Sequence, residues 1–200
     1  MDWKDINVRK YYRILEILQE EADPISFNVD LIDLIWDINS ADIPIPKFSY
    51  YLSQLDFISK PYEPKTPKKS YIIGDKEFIP TLDASNITTA QYIDFQELIK
   101  RDDHKNLLNV LFIEKGHNYG DVDNAEFLWE NLTVDIYSDV MFFFLQLLNN
   151  LTVNTLHSSL SKMKKAYRKE KDPQKKEEIM KQMVETKLTL SEINDNEYLG

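Results

Sequence analysis

Apolar residues recur at helical spacing over most of this chain and alternate in one short stretch. Near the start, Val8, Tyr11, Leu15 and Leu18 mark a helix face that Tyr12 and Ile14 widen, predicting a helix over about 5–21. Asp23-Pro24 stops it. A second helix is expected from about Asn28, whose side chain can cap it, through the apolar run Leu31, Ile32, Leu34, Ile35, Trp36 and Ile38. Apolar on more than one face, that helix must be buried in this protein or in an assembly. Ile43-Pro44-Ile45-Pro46 reads as an extended connector. A shorter helix over 48–58 packs Tyr51, Leu52, Leu55 and Ile58 inward.

Three prolines at three-residue spacing, Pro61, Pro64 and Pro67, favour an extended, solvated polyproline linker over 60–70. Next, β-prone residues flank Gly74-Asp75, the mark of a hairpin over 71–79 with a type II′ turn. A lone hairpin is marginal in water, so this one should rest on a helix or extend a partner's sheet. Thr88-Thr89-Ala90-Gln91 is a capping box that opens a helix over 89–100, and another is expected over 103–113. Residues 114–124 form a polar loop. Thr133 caps the longest element, in which Ile136, Val140, Phe143, Phe144, Leu147, Leu148 and Leu151 recur at spacings of three and four. Its pattern weakens into a basic stretch after Leu160. Asp172-Pro173 then starts a terminal helix with Ile179, Met180, Met183, Val184 and Leu188 on one face. A helix that turns back and one long kinked arm both fit.

The expected architecture is mainly α: a helical bundle with one small β-hairpin and an extended C-terminal helical arm. It divides into an N-terminal helical segment (1–59), the linker (60–70), a hairpin plus helical core (71–160) and a basic arm (161–200). Composition supports a packed core, since 42% of the 200 residues are apolar and Phe, Tyr and Trp are plentiful. With no cysteine, disulfides, thiolate zinc sites and thiol catalysis are excluded. The start of the chain lacks the apolar core of a signal peptide, and the run from Val140 to Leu148 is far short of the ~20 residues of a membrane span. The sequence therefore reads as a soluble chain with no membrane partner, whose Asn-x-Ser/Thr sites at Asn86, Asn131 and Asn150 go unused.

The net charge of −10 disfavours non-specific nucleic-acid binding. It is unevenly spread: residues 162–181 carry nine Lys/Arg against four Asp/Glu. The plain reading is a solvated helix face. The functional one is a docking arm, carried by Lys164, Lys165, Arg168 and Lys169, for an acidic partner or a neighbouring copy of this acidic chain. That stretch lacks both a recognition-helix context and the interleaved aromatics of a single-strand binder.

The three histidines, His104, His117 and His157, form no helical zinc pair. Asp121, Asp123 and Glu126 could gather around a cation, but an EF-hand would need Gly where Glu126 stands and Glu where Leu132 stands. No phosphate loop or nucleophile elbow is present, and no catalytic residue, cofactor or metal is assigned. Phe142, Phe143 and Phe144 wrap a helix in aromatics, either as a core helix or as a subunit interface. With Tyr71, Ile73 and Phe78 of the hairpin and the basic arm, they are the candidate partner surfaces.

The hairpin 71–78, the following Ile87-Thr88-Thr89-Ala90-Gln91-Tyr92-Ile93-Asp94-Phe95-Gln96 and the later Phe142-Phe143-Phe144 together resemble small structural-block proteins of crAss-like and other tailed bacteriophages of Bacteroidetes. The likeness spans about 71–151. It implies a virion structural protein, such as a head–tail connector or tail ring subunit or a particle-associated protein. Such a protein binds other phage structural proteins, forms a homo-oligomer and is assembled in the host cytoplasm. A non-virion tail-assembly chaperone and a packaged protein touching nucleic acid through its basic arm are the alternatives. The resemblance transfers no active-site residue, and the chain is expected not to be an enzyme.

Overall fold

The computed structural model of the chain describes residues 1–20 and 23–196, apart from the side chains of 192 and 194–196. Among these residues the protein is mainly helical, with eight α-helices and one three-stranded antiparallel sheet. It divides into two compact units, Met1–Phe144 and Leu145–Gly200.

In the first unit, a 3-10 turn with its own capping box places Trp3 in the core, and α1 follows at Val8–Gln19. Asn7 caps α1, its Oδ1 accepting from the Lys10 amide at 2.9 Å. The buried face of α1 turns toward Ile14 and Ile17, and Leu18, expected inside, is exposed. Residue 21, where the sequence pattern ended this helix, lies outside the described residues. α2 spans Pro24–Trp36 and starts a full turn earlier than expected. Asp23 is its cap, accepting from the amides of Ile25 and Ser26, and Pro24 fills the first helical position, where no amide is missed. Asn28 is therefore no cap; its Nδ2 donates to the Pro24 carbonyl at 2.8 Å. The expected connector at Ile45-Pro46 is instead the start of α3 (Ile45–Gln54), because proline in a first turn breaks no helical bond. Trp3, Ile6, Ile14, Ile17, Leu31, Ile35, Phe57 and Val134 form one apolar cluster.

Residues 60–70 run as a strap across this same unit. Trp3 Nε1 donates to the Lys60 carbonyl at 3.2 Å. The Tyr62 hydroxyl and the Lys65 amide donate to one oxygen of Asp139, at 2.9 and 2.6 Å. Pro67 is buried, and the Lys68 amide donates to the Tyr71 hydroxyl at 2.8 Å. The extended conformation and the exposure of most of its residues match the proline pattern, and the segment is in addition fastened to the core at Lys60, Tyr62, Lys65 and Pro67.

The hairpin comprises β1 (Tyr71–Ile73) and β2 (Lys76–Pro80), with Tyr71 opposite Phe78. Of the two central residues only Gly74 takes positive φ, at +59°, as a type II′ turn requires. A Cβ on Gly74 would also meet the Phe127 ring at 3.0 Å, so the position excludes larger residues twice over. The pair is completed from within the chain by β3 (Phe112–Glu114), Ile79 opposite Ile113. Helical pattern carried α5 on to Ile113, but it stops at Leu111 (His104–Leu111), where Phe112 and Ile113 gain strand partners. α4 (Thr89–Lys100) begins as read: the Gln91 amide donates to Thr88 Oγ1 at 3.1 Å and the Thr88 amide to Gln91 Oε1 at 3.0 Å. α6 (Ala125–Asn131) had no counterpart in the pattern, being too short to show a period.

α7 spans Val134–Lys169 and α8 spans Pro173–Asn196. The residues of α7 after Phe144 and all of α8 make up the second unit. A break of three residues separates the helices, and Lys176 Nζ lies 5.4 Å from the Tyr167 ring centroid. Covered positions on α8 are Lys176, Ile179, Met183, Thr186, Leu190 and Ile193; on α7 after Phe144 they are Leu147, Leu148, Asn149, Leu151, Thr152, Val153, Leu156, Ser159, Leu160, Met163 and Tyr167. On α8, and on α7 from Val153 apart from Ser159, these positions are spaced alternately three and four apart, the period that suits the seam of a two-stranded coil. Met180, Val184 and Leu188, expected on the same face as Ile179, fall outside the seam and are half exposed.

Candidate partner-binding surfaces

Side chains alternate across a sheet, and this register fixes which hairpin residues a partner could reach. Tyr71, Ile73 and Phe78 share the covered face with Pro80 and Phe112, and all are buried. As partner-contacting residues they are corrected: they belong to the protein's own core. The reachable face carries Ile72, which is 79% exposed, with Ile79 and Ile113. The sequence pattern assigns the covered face to a partner because a period of two does not say which side the core occupies.

The three phenylalanines of α7 separate similarly. Phe144 is fully buried and its ring lies 4.9 Å from that of Phe95, whereas Phe142 is 44% exposed. Phe143 is intermediate. Lys164, Lys165, Arg168 and Lys169 are all exposed, and none makes an ion pair among the described residues. By length and composition α7 could cross a membrane, against the expectation drawn from its apolar run alone.

Beside the reachable sheet face lies a groove of about 410 Å³ walled by Ile79, Pro80, Leu82 and Ile113. Gln91 lines it from the start of α4. Its Oε1 is committed to the Thr88 amide, so its Nε2 cannot exchange places with the oxygen. That Nε2 is buried and has no hydrogen-bond partner. A buried amide hydrogen left without an acceptor costs about 1–3 kcal/mol. Asp83, at the edge, is held below the usual carboxylate range by the Ser85 amide and hydroxyl. Only the capping role of Gln91 is legible in sequence; the burial of its Nε2 is not, since that depends on the tertiary packing.

A second cluster was not foreseen at all. Tyr12 is stacked between His104, at 4.3 Å, and Trp129, at 5.2 Å, and its hydroxyl meets that of Tyr137 at 2.7 Å. His104 Nε2 pairs with Asp102 Oδ1 at 2.7 Å, and His104 Nδ1 is buried without a partner. Asp102 takes φ +58°, closing the turn between α4 and α5. Burial raises the Tyr12 and Tyr137 phenols, the latter to about 12, so neither ionises readily as a nucleophile or base. The adjoining 600 Å³ hollow pairs its own charges, Arg9 with Glu130, Lys10 with Asp37 and Arg13 with Glu16. Among the described residues no group of three His, Cys, Asp or Glu side chains is placed to hold a metal ion.

No family model matches the chain, and no curated protein or solved structure does.

Proposed function

We propose that this is a structural protein of a tailed-bacteriophage particle, acting by binding neighbouring proteins and further copies of itself rather than by catalysis. The observation that carries this reading is the opposition of charge between the helical hairpin and the rest. Residues 162–181, around the turn of the hairpin, hold nine Lys/Arg against four Asp/Glu in a chain of net charge −10. A basic tip on an acidic protein is complementary to the next copy, and such head-to-tail contacts generate rings when the rotation closes. The placement in a phage particle rests on the sequence resemblance over 71–151. α7 is read as a core-and-arm helix, not a span. Its buried Val140 and Phe144 belong to a protein core, and Gln146, Asn149, Asn150 and Asn154 would be costly in lipid.

Native mass measurement tests the self-association. Wild-type chain forms a discrete multimer, and Lys164→Glu with Lys165→Glu, Arg168→Glu and Lys169→Glu gives monomers of unchanged helicity. A wild-type monomer at micromolar concentration, alone and with portal-proximal proteins, defeats the reading. Mass spectrometry of purified virions separates the two phage roles: absence from mature particles leaves the assembly chaperone. Salt-dependent retardation of DNA by wild type and not by the reversed variant would instead favour the packaged, nucleic-acid-contacting protein.

A further inference from the structure

β1 lies at one end of the sheet order, so its outer side is an open edge. Ile72 sits opposite Glu77, whose carbonyl accepts from the Lys115 amide at 2.8 Å, on the β3 side. In an antiparallel ladder the residue facing such a position turns its own amide and carbonyl the other way. The Ile72 main chain therefore points off the open edge, where it forms no bond among the described residues. Many proteins blunt an edge of this kind with a proline, a bulge or an outward charge. Here the outward residue is Ile72, exposed beside Ile79 on the same face.

The charges around Ile72 select what can pair there. Lys69 stands three residues before it and Asp75 three residues after. Both are exposed, and neither forms an ion pair among the described residues. We propose that β1 pairs antiparallel with β1 of a second copy, Ile72 facing Ile72 across a two-fold axis. The two Ile72 residues exchange amide–carbonyl bonds, and each Lys69 falls opposite Asp75 of the second copy. Lys76, opposite Lys68 in this register, is drawn away by Glu114 and Asn124. A parallel pairing in the same register would instead set like charges side by side. The contact is isologous, unlike the head-to-tail contact of the basic arm, and does not depend on it. Being short, it joins copies only at concentrations on the order of hundreds of micromolar, or where another contact has already gathered them.

The test uses the full chain with its arm reversed (Lys164→Glu, Lys165→Glu, Arg168→Glu and Lys169→Glu), so that arm contacts contribute nothing. Labelled with ¹⁵N, it is diluted from millimolar to micromolar concentration. The Ser70 and Ile72 amide resonances should move along one binding curve, with sedimentation giving a dimer at its upper end. In this background Lys69→Asp alone and Asp75→Lys alone each weaken the dimer about fivefold or more, because both symmetry-related pairs become repulsive. Mixing the two variants in equal amounts restores association, since each offers the charge that the other lacks. Both positions are exposed, so folding is not at stake. Ile72→Pro removes the outward amide without taking a rung from the hairpin, and should abolish the dimer. An Ile72 amide that does not move with concentration overturns the proposal, as does a mixture no tighter than its components. Undiminished dimerisation of Ile72→Pro overturns it too. A wild-type chain without arm-borne multimers would defeat the reading of the arm and leave this contact standing.

Discussion

In Met1–Phe144, apolar side chains converge from helices, strap and sheet, so that Phe78, Phe112, Leu108 and Phe144 are each sealed on all sides. In Leu145–Gly200, two helices cover one face each, and Leu148, Leu160 and Leu190 are its buried apolar residues among those described. Periodicity serves both regions equally well, but it yields a closed core only where elements cross in a third direction. Two helices whose covered positions follow a three-and-four spacing still leave Met180, Val184 and Leu188 facing outward. A region of the first kind specifies itself; one of the second kind has surface left for other proteins.

Core truncation should separate the two regions most sharply. Phe144→Ala removes a sealed ring packed on Phe95 and should cost about 3–5 kcal/mol of the first unit's stability in chemical denaturation. Leu160→Ala should cost ~2 kcal/mol or less, with lost hydrogen-exchange protection confined to the hairpin. Equal losses from the two would erase the distinction. Alkaline pH should also act on the first unit. The Tyr137 phenol, raised by burial to about 12, ionises later than in the unfolded chain, where tyrosine titrates near ~10. Its contribution is complete below pH ~10 and is lost as the pH climbs toward 12, so denaturation midpoints should fall over that window as tyrosinate absorbance grows. The smallest effect is expected at Ile72→Ser, within about 0.5 kcal/mol, since the side chain touches water already.

Particular signals explain what could be read in advance. Thr88 and Gln91 name each other in sequence because a capping box is complete within four residues. Asp172-Pro173 reads as a helix start, whereas the identical pair Asp23-Pro24 reads as a stop. Both are starts. The difference is context, for Asp23-Pro24 follows α1 so closely that one signal stands both at the end of that helix and at the start of the next. β3 was illegible, since Phe112 and Ile113 continue a helical pattern until β2 is beside them. The Tyr12–His104 stack is assembled by residues 92 positions apart, which no local spacing announces. The exposed groove at Gln91 depends on the same kind of distant approach.

One rung near the chain's beginning has a consequence for synthesis. The Val8 amide donates to the Leu132 carbonyl and the Val134 amide to the Ile6 carbonyl, both at 2.9 Å. Ile6 and Val8 thus acquire these backbone partners only after residue 134 has left the ribosome. At about 5–20 residues per second, Ile6 and Val8 wait on the order of ten seconds for these two bonds, although Trp3, Ile14 and Ile17 can already pack on Leu31, Ile35 and Phe57. A chain stalled before that point has no way to finish its first helix's surroundings, and is a natural client for holding factors.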